Sequence, residues 1–392
     1  MSDSKLSPDR IATHIAALPR SGIRDFFELV NTMEDVISLG IGEPDFVTPW
    51  GIREATIYAL DKGHTSYTSN LGLLSLRKEV CRYVRDHFGV SYDAEGECII
   101  TVGVSEALDL IMRALLNPGD EVVYHEPCYV SYAPAIRMAH AVPVPVVTRE
   151  EENFALNPDD LEAAITPKTK VILLSFPNNP TGANISSEQK KRIAEIACEH
   201  DVLVITDEIY SELVYGESAC SIAALPGMKD RTVLLHGFSK AFAMTGYRIG
   251  YACGPNDLIE AMMKVHQYSM LCASIIGQEA ALEALRGGRR DMQEMRREYE
   301  QRRNVIVARL NDMGLSCVMP EGAFYVFPRV QDTGLTSEQF ARRLLAEKRV
   351  ALVPGPAFGA CGEGYVRCSY AASLQDIETA MDRIGEFLGE IA

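Results

Sequence analysis

Seven short apolar runs recur between residues 98 and 254, separated by longer amphipathic stretches. They are CIITV (98–102), EVVYH (121–125), AVPVPVV (141–147), KVILLSF (170–176), VLVIT (202–206), TVLLH (232–236) and RIGYACG (248–254). Each is β-branched or leucine-rich and apolar nearly throughout, which is the pattern of strands buried on both faces of a mostly parallel sheet. Stretches such as SEALDLIMRALL (105–116) and SSEQKKRIAEIACEH (186–200) lie between them at helical period. Strand, helix, strand in this order means βαβ units, hence an α/β fold with a mostly parallel seven-stranded sheet flanked by helices.

Beyond residue 255 the pattern changes. Residues 256–312 read as helical, interrupted by the glycines at 287–288. A smaller α+β module follows. GAFYVFPRV (322–330), ALVPG (351–355) and YVRCSYA (365–371) read as strands. TSEQFARRLLAEK (336–348) and SLQDIETAMDRIGEFL (373–388) read as helices opened by a Thr or Ser N-cap. The first 45 or so residues are too loop-rich to stand alone and are expected to pack on the C-terminal module. The expected division is a large domain over 46–290 and a small one from 1–45 and 291–392.

The formal net charge of −16 argues against bulk attraction to nucleic acid or an anionic membrane, though not against a local basic pocket for a small anion. No apolar run reaches the ~18 residues of a membrane-spanning helix. The N-terminus, MSDSKLSPDR, shows no secretory signal. The ten cysteines are scattered without a CxxC pair and read as reduced thiols of a cytoplasmic protein. No Cys/His pattern suggests a metal.

Several of the strands end in residues unusual for a turn, and ligands of open α/β sheets bind outside such carboxyl ends. The run 170–176 enters PNNPTG (177–182), a rigid loop that projects side-chain amides. The run 202–206 enters TDEIYSE (206–212), where Asp207 and Tyr210 stand three apart and can face one flat ligand. The bland alternatives are a plain turn, and a helix cap beside a core tyrosine. The first run enters VGVSEALDL (102–110), where Gly103 turns the chain and the amides of Val104 and Ser105 open a helix suited to a phosphate, or to a simple serine cap. The run 232–236 leads to Lys240, set among Phe238, Phe242 and Met244. Desolvation lowers the pKa of such an amine and frees it to form a Schiff base. Arg248 would disfavour its charged form and could hold a phosphate. A phosphate cradle, an acid, a phenol, an amide and a reactive lysine at one sheet edge describe the needs of pyridoxal 5'-phosphate (PLP).

Here the chain resembles the class I PLP-dependent aminotransferases of fold type I, in the branch of aspartate, aromatic and acyl-diaminopimelate aminotransferases. The resemblance runs from LGIGEPDF (39–46) to GEGYVRCSYA (362–371), with GFSKAFAMTGYRIG (237–250) matching the lysine signature throughout. It implies that Lys240 holds the cofactor and moves the proton, and that Asp207 pairs with the pyridine nitrogen. Tyr210 and Asn179 would bond the ring phenolate, and Tyr129 would stack on the ring. Val104, Ser105 and Arg248 would hold the phosphate, with Tyr67 reaching the cofactor of a partner subunit in a homodimer. Arg367 and Asn179 would clamp the substrate α-carboxylate, and the Gly42 backbone would close over it. Many relatives carry a hydroxyl residue three places before the lysine. That place is Gly237 here, so one phosphate contact is either missing or supplied by Ser239. The resemblance further implies ping-pong transfer of an amino group to a 2-oxoacid such as 2-oxoglutarate.

Two other readings compete. A PLP-dependent β-lyase keeps the same lysine and arginine. A PLP-sensing regulator would need a DNA-binding extension, for which the chain has no basic arm. The side-chain pocket is expected from residues 14–18 and PRSGIRDFF (19–27), where Arg20 or Arg24 could recognise a second carboxylate.

Overall fold

The computed structural model describes residues 10–18, 33–216 and 220–391. All seven apolar runs become strands of one sheet: β2 (Cys98–Thr101), β3 (Glu121–Glu126), β4 (Val142–Val147), β5 (Thr169–Ser175), β6 (Leu203–Asp207), β7 (Thr232–Gly237) and β8 (Gly250–Cys253). Their order is β2-β8-β7-β6-β5-β3-β4. Only β8 runs against its neighbours. The link from β7 to β8 holds a single 3-10 turn and no crossover helix, and a parallel return needs a crossover. That short link is the segment that carries Lys240.

Position in the sheet explains the composition of each strand. β2, β7 and β8 are buried at every residue. β4 is half exposed and contains Pro143 and Pro145, which lack an N–H for a second ladder, so it takes the sheet edge. Helices Gly103–Leu115 and Asn256–Ser269 cover one face, in a core with Ile99, Ala252 and Val233. Leu74–Phe88, Ile275–Gly287 and Arg289–Asp312 share the opposite core with Ile100, Tyr251 and Leu234. The two expected N-caps are present, Thr336 in a full capping box with Gln339 and Ser373 accepting from the Asp376 N–H at 3.1 Å; Ser186 with Gln189 forms a further box that was not expected.

In the smaller module β1 (Ile37–Ser38) pairs in parallel with β10 (Val350–Ala351). Residues 37–38 therefore pack on the C-terminal module, whereas the short helix Thr13–Ala16 lies against the helix Tyr132–Met138 instead, with His14 facing His140. A second, antiparallel sheet has the order β11 (Val353–Pro354), β12 (Val366–Ser369), β9 (Tyr325–Val326).

Three expectations are refined. The 322–330 strand shrinks to Tyr325–Val326, because Ala323 adopts a positive φ of 59° and Pro328 cannot donate to a ladder. The 351–355 run divides at Leu352 between two sheets. The 256–312 stretch breaks at Met270–Ser274 as well as at Gly288, since Leu271 takes φ 69° while its carbonyl accepts from the Asn70 amide at 2.8 Å. No glycine marks that break, so the pattern conceals it.

Candidate active site

β5, β6 and β7 are parallel, and β2 shares their sense through two reversals, so their carboxyl ends meet at one edge. A cavity of about 420 Å³ opens there. Gly42, Val104, Ser105, Tyr129, Asn179, Asp207, Tyr210, Ser239, Lys240, Arg248 and Arg367 all line it. Tyr67 does not; it is 83% exposed outside the cavity. Arg20, Arg24 and the stretch 19–27 lie outside the described residues.

Asp207 ends β6 and is buried. One carboxylate oxygen accepts from the Tyr132 hydroxyl at 2.9 Å and the other from the Ile209 N–H at 3.2 Å. Burial pushes its pKa up to about 6, against the opposing pull of the Tyr132 and Ile209 hydrogen bonds and of the His236 imidazole. Lys240 donates to the Gly42 carbonyl at 2.6 Å. Its pKa is lowered to about 8, first by burial and then by the Arg367 guanidinium, with Arg248 contributing in the same sense and Glu43 and Asp207 opposing. The cation expected to perturb the lysine was Arg248, eight residues away in sequence. Arg367, remote in sequence, acts more strongly.

The phosphate-type cradle follows from close backbone approach. A Cβ on Gly250 would stand 2.7 Å from the Val104 nitrogen, so only glycine lets β8 reach the start of helix Gly103–Leu115. Val102 caps that helix, not Ser105, and its N–H donates to Glu106 at 2.5 Å. The Ser105 hydroxyl is left facing the cavity. The Arg248 guanidinium packs on Gly103, where a Cβ would meet it at 2.6 Å, and donates to the Thr245 carbonyl at 3.1 Å. A Cβ on Gly237 would lie 3.0 Å from Gly250 Cα and 3.1 Å from the Ile249 carbonyl. The missing hydroxyl residue is thus compatible with tight β7–β8 pairing.

Arg367 is buried on β12 and reaches across from the smaller module. It donates to Asn179 Oδ1 at 2.9 Å and to the Gly40 carbonyl at 2.5 Å, while its Nε has no partner. It lies 4.6 Å from the Tyr325 ring and 4.8 Å from that of Phe358. Asn178 braces the loop that presents Asn179, donating to the Pro127 carbonyl at 2.9 Å and to Thr181 at 3.1 Å.

Two functional neighbours escaped the sequence reading. Tyr132, which holds Asp207, follows Tyr129 by three residues in YVSY, a spacing that was visible. Tyr325 shares a 2.9 Å hydroxyl–hydroxyl contact with Tyr210, and nothing in GAFYVFP marked it.

These residues fit PLP. The buried Asp207 carboxylate awaits a positive partner, and free amides beside Arg248 suit a dianion. The depressed Lys240 amine suits an aldehyde, and the orphaned Arg367 Nε suits a carboxylate. Among the described residues no group of His, Cys, Asp and Glu could hold a metal ion.

The fold and site together define a PLP-dependent transferase of fold type I. The chain belongs to the aminotransferase class I and II family, whose model matches residues 34–384. It is 46% identical to the aromatic-amino-acid aminotransferase 2 of Thermococcus litoralis over 94% of this chain and 96% of that protein. It is also 46% identical to the aspartate aminotransferase of Pyrococcus abyssi, with the same coverage. The crystal structure of the aromatic aminotransferase of Pyrococcus horikoshii superimposes with a TM-score of 0.90, at 46% identity, covering 94% of this chain and 99% of that one. The activity is PLP-dependent transamination.

Proposed function

We propose that the enzyme moves the amino group of an L-amino acid, aspartate, aromatic or a related donor, to a 2-oxoacid such as 2-oxoglutarate. The observation that carries this is the meeting of three groups in one cavity: the Lys240 amine, the Asp207 carboxylate, and the Arg367 guanidinium paired to Asn179. When bound, PLP supplies the aldehyde that takes the amino group and the ring that accepts the electrons of the Cα–H bond.

The chain's own residues do the rest. Arg248, Ser105, Ser239 and the amides at Val104 and Ser105 would hold the phosphate. Asp207 would keep a proton on the pyridine nitrogen, and Tyr132 would hold Asp207 in place. Tyr210 and Asn179 would bond the phenolate oxygen, and Tyr129 would lie against the ring. Arg367 would grip the α-carboxylate in a planar fork, which fixes the orientation of the Cα–H bond. Lys240, with a pKa near 8, is poised to take the proton from Cα and return it one position away. The Gly42 backbone, now held by Lys240, would close over the substrate.

A homodimer with shared sites is part of this reading. Tyr67 stands exposed beyond its own cavity, and Trp50, Ile57, Tyr58 and Tyr268 present exposed apolar surface that suits a second copy. The division into a large domain over 46–290 and a small one from 1–45 and 291–392 is likewise proposed. The β1–β10 pairing supports it. Cytoplasmic residence is in keeping with unpaired thiols, and no described helix is long and apolar enough to cross a membrane.

The test is a panel of amino donors with 2-oxoglutarate, followed at the cofactor's absorbance. Oxoacid that forms only when an acceptor is present supports the reading. Pyruvate released from cysteine conjugates without an acceptor, as the main activity, sinks it in favour of β-elimination.

A further inference from the structure

The turn that opens helix Gly103–Leu115 is clamped by residues that stand outside the cavity. Thr101 ends β2 and is fully buried, and its hydroxyl donates to the Gly103 carbonyl at 2.9 Å. In a trans peptide the carbonyl and the next N–H point in opposite directions. Holding the Gly103 carbonyl therefore fixes which way the Val104 N–H faces. A second clamp acts on the residue between them. Val102 has no side-chain group to cap the helix, and its own N–H donates to Glu106 Oε2 at 2.5 Å. The other oxygen, Oε1, lies 2.8 Å from His266 Nδ1. A carboxylate only accepts, so the imidazole donates. His266 is fully buried and the Glu106 side chain is 10% exposed. His266 is itself anchored in the last turn of helix Asn256–Ser269, where its carbonyl accepts the N–H groups of Met270 and Leu271 at 2.8 and 3.0 Å. Gly103 sits between the clamps at φ 74° and has no Cβ to lock that geometry. A plain staple between two helices would need only the His266–Glu106 pair. The bonds to the Val102 N–H and the Gly103 carbonyl serve the turn itself.

We propose that Thr101, Glu106 and His266 are positioning residues that aim the Val104 and Ser105 amides at the cofactor phosphate. The proposal rests on the reading of those two amides as the phosphate cradle. Val104 and Ser105 line the cavity, whereas Thr101, Glu106 and His266 do not, so the three act only through the turn. A cradle fixed before the anion arrives loses little ordering entropy on binding, and a loosened one loses more. The effect of each clamp therefore appears in the affinity for the phosphate. By charge alone, a carboxylate beside Ser105 opposes a dianion at this helix start. Positioning and charge thus predict opposite signs when Glu106 is removed.

The test titrates the apoprotein with PLP and, separately, with pyridoxal, which has the same ring and aldehyde but no phosphate. Absorbance of the bound aldehyde gives both dissociation constants, and the readout is the ratio of pyridoxal to PLP. Thr101→Val, Glu106→Ala and His266→Leu should each lower that ratio about tenfold, the effect of one lost hydrogen bond. The change should come from weaker PLP binding, with pyridoxal binding unaltered. Thr101→Ser, Glu106→Gln and His266→Asn keep a donor or acceptor at the same place and should hold the ratio within about threefold of wild type. Thr101→Val is nearly isosteric, so it reads the clamp by itself if Glu106→Ala does not fold. The proposal is overturned if the ratio keeps its wild-type value in Thr101→Val or in folded Glu106→Ala. It is equally overturned if Glu106→Ala binds PLP more tightly, as relief of charge repulsion requires, or if Glu106→Gln falls as far as Glu106→Ala. A wild-type ratio near one removes the phosphate cradle itself, and with it the reading on which the proposal rests.

Discussion

Replacing Asp207 by asparagine should make the cofactor-free protein more stable while removing most of its activity. In the cofactor-free protein the carboxylate is buried, held by two neutral donors, and carries a pKa of about 6 against an ordinary 3.8. Because the folded pKa lies above the unfolded one, the folded state binds more protons between pH 4 and pH 6. Stability therefore falls as pH rises through that window and stays lower above it. About two pKa units at 1.36 kcal/mol each is a penalty of roughly 3 kcal/mol at pH 8. Asparagine has nearly the same shape, can still accept the Ile209 N–H, and can donate to the Tyr132 oxygen, so it escapes the penalty. With an unfolding entropy of about 2.1 cal/mol/K per residue, that is a Tm rise of about 4 °C for a chain of this length. The assay is thermal unfolding of both apoproteins at pH 4.5 and pH 8. The variant should gain about 3 kcal/mol at pH 8 and only about 1 kcal/mol at pH 4.5, while its kcat with PLP falls by ~10²-fold or more. An asparagine variant that is no more stable at pH 8 than at pH 4.5, relative to wild type, would refute the claim that an unpaired buried charge waits in this cavity.

Other outcomes follow from the same geometry. With its pKa lowered to about 8, Lys240 of the apoprotein should react with trinitrobenzenesulfonate with a midpoint near pH 8, well before the exposed lysines at about 10.5. Peptide mapping across pH 6–11 checks this, and a midpoint shared with the surface lysines contradicts it. Lys240→Ala should leave no cofactor fixed to the chain after borohydride reduction and should lower kcat by about 10²–10⁴-fold at least. Arg367→Lys removes the planar fork that now engages Asn179 and Gly40. Loss of one charge-assisted hydrogen bond, about 1.5–3 kcal/mol, should raise KM for both substrates by roughly 10- to 100-fold, with a smaller change in kcat. Gly182→Ala places a Cβ 2.5 Å from Pro320 Cβ at a φ of 68°, which should cost about 2–3 kcal/mol in urea unfolding and loosen the loop that presents Asn179.

Some of this protein was written in local pattern, and some was not. Hydrophobic runs set by double-sided burial announced all seven sheet strands, because a strand covered on both faces must be apolar at successive positions. The antiparallel sense of β8 was not legible, since it depends on a link that lacks a helix rather than on the strand itself. Lys240, Asp207, Tyr210, Asn179 and Ser105 could be picked out because each follows a strand exit, where chemistry interrupts a regular pattern, and Arg248 because it opens the next strand eight residues after the lysine. Arg367 and Gly42 were legible only through family resemblance. Their own stretches carry no exit signal, and they reach the cavity only when the smaller module folds back. Tyr325 touching Tyr210, Arg367 outweighing Arg248 on the lysine, and Cys98 standing opposite Cys253 were decided by tertiary packing alone. A chain's local sequence dictates which segments must be buried. Which distant side chains then share one low-dielectric space depends on how those segments cross, and the shifted pKa values that make the chemistry arise from that sharing.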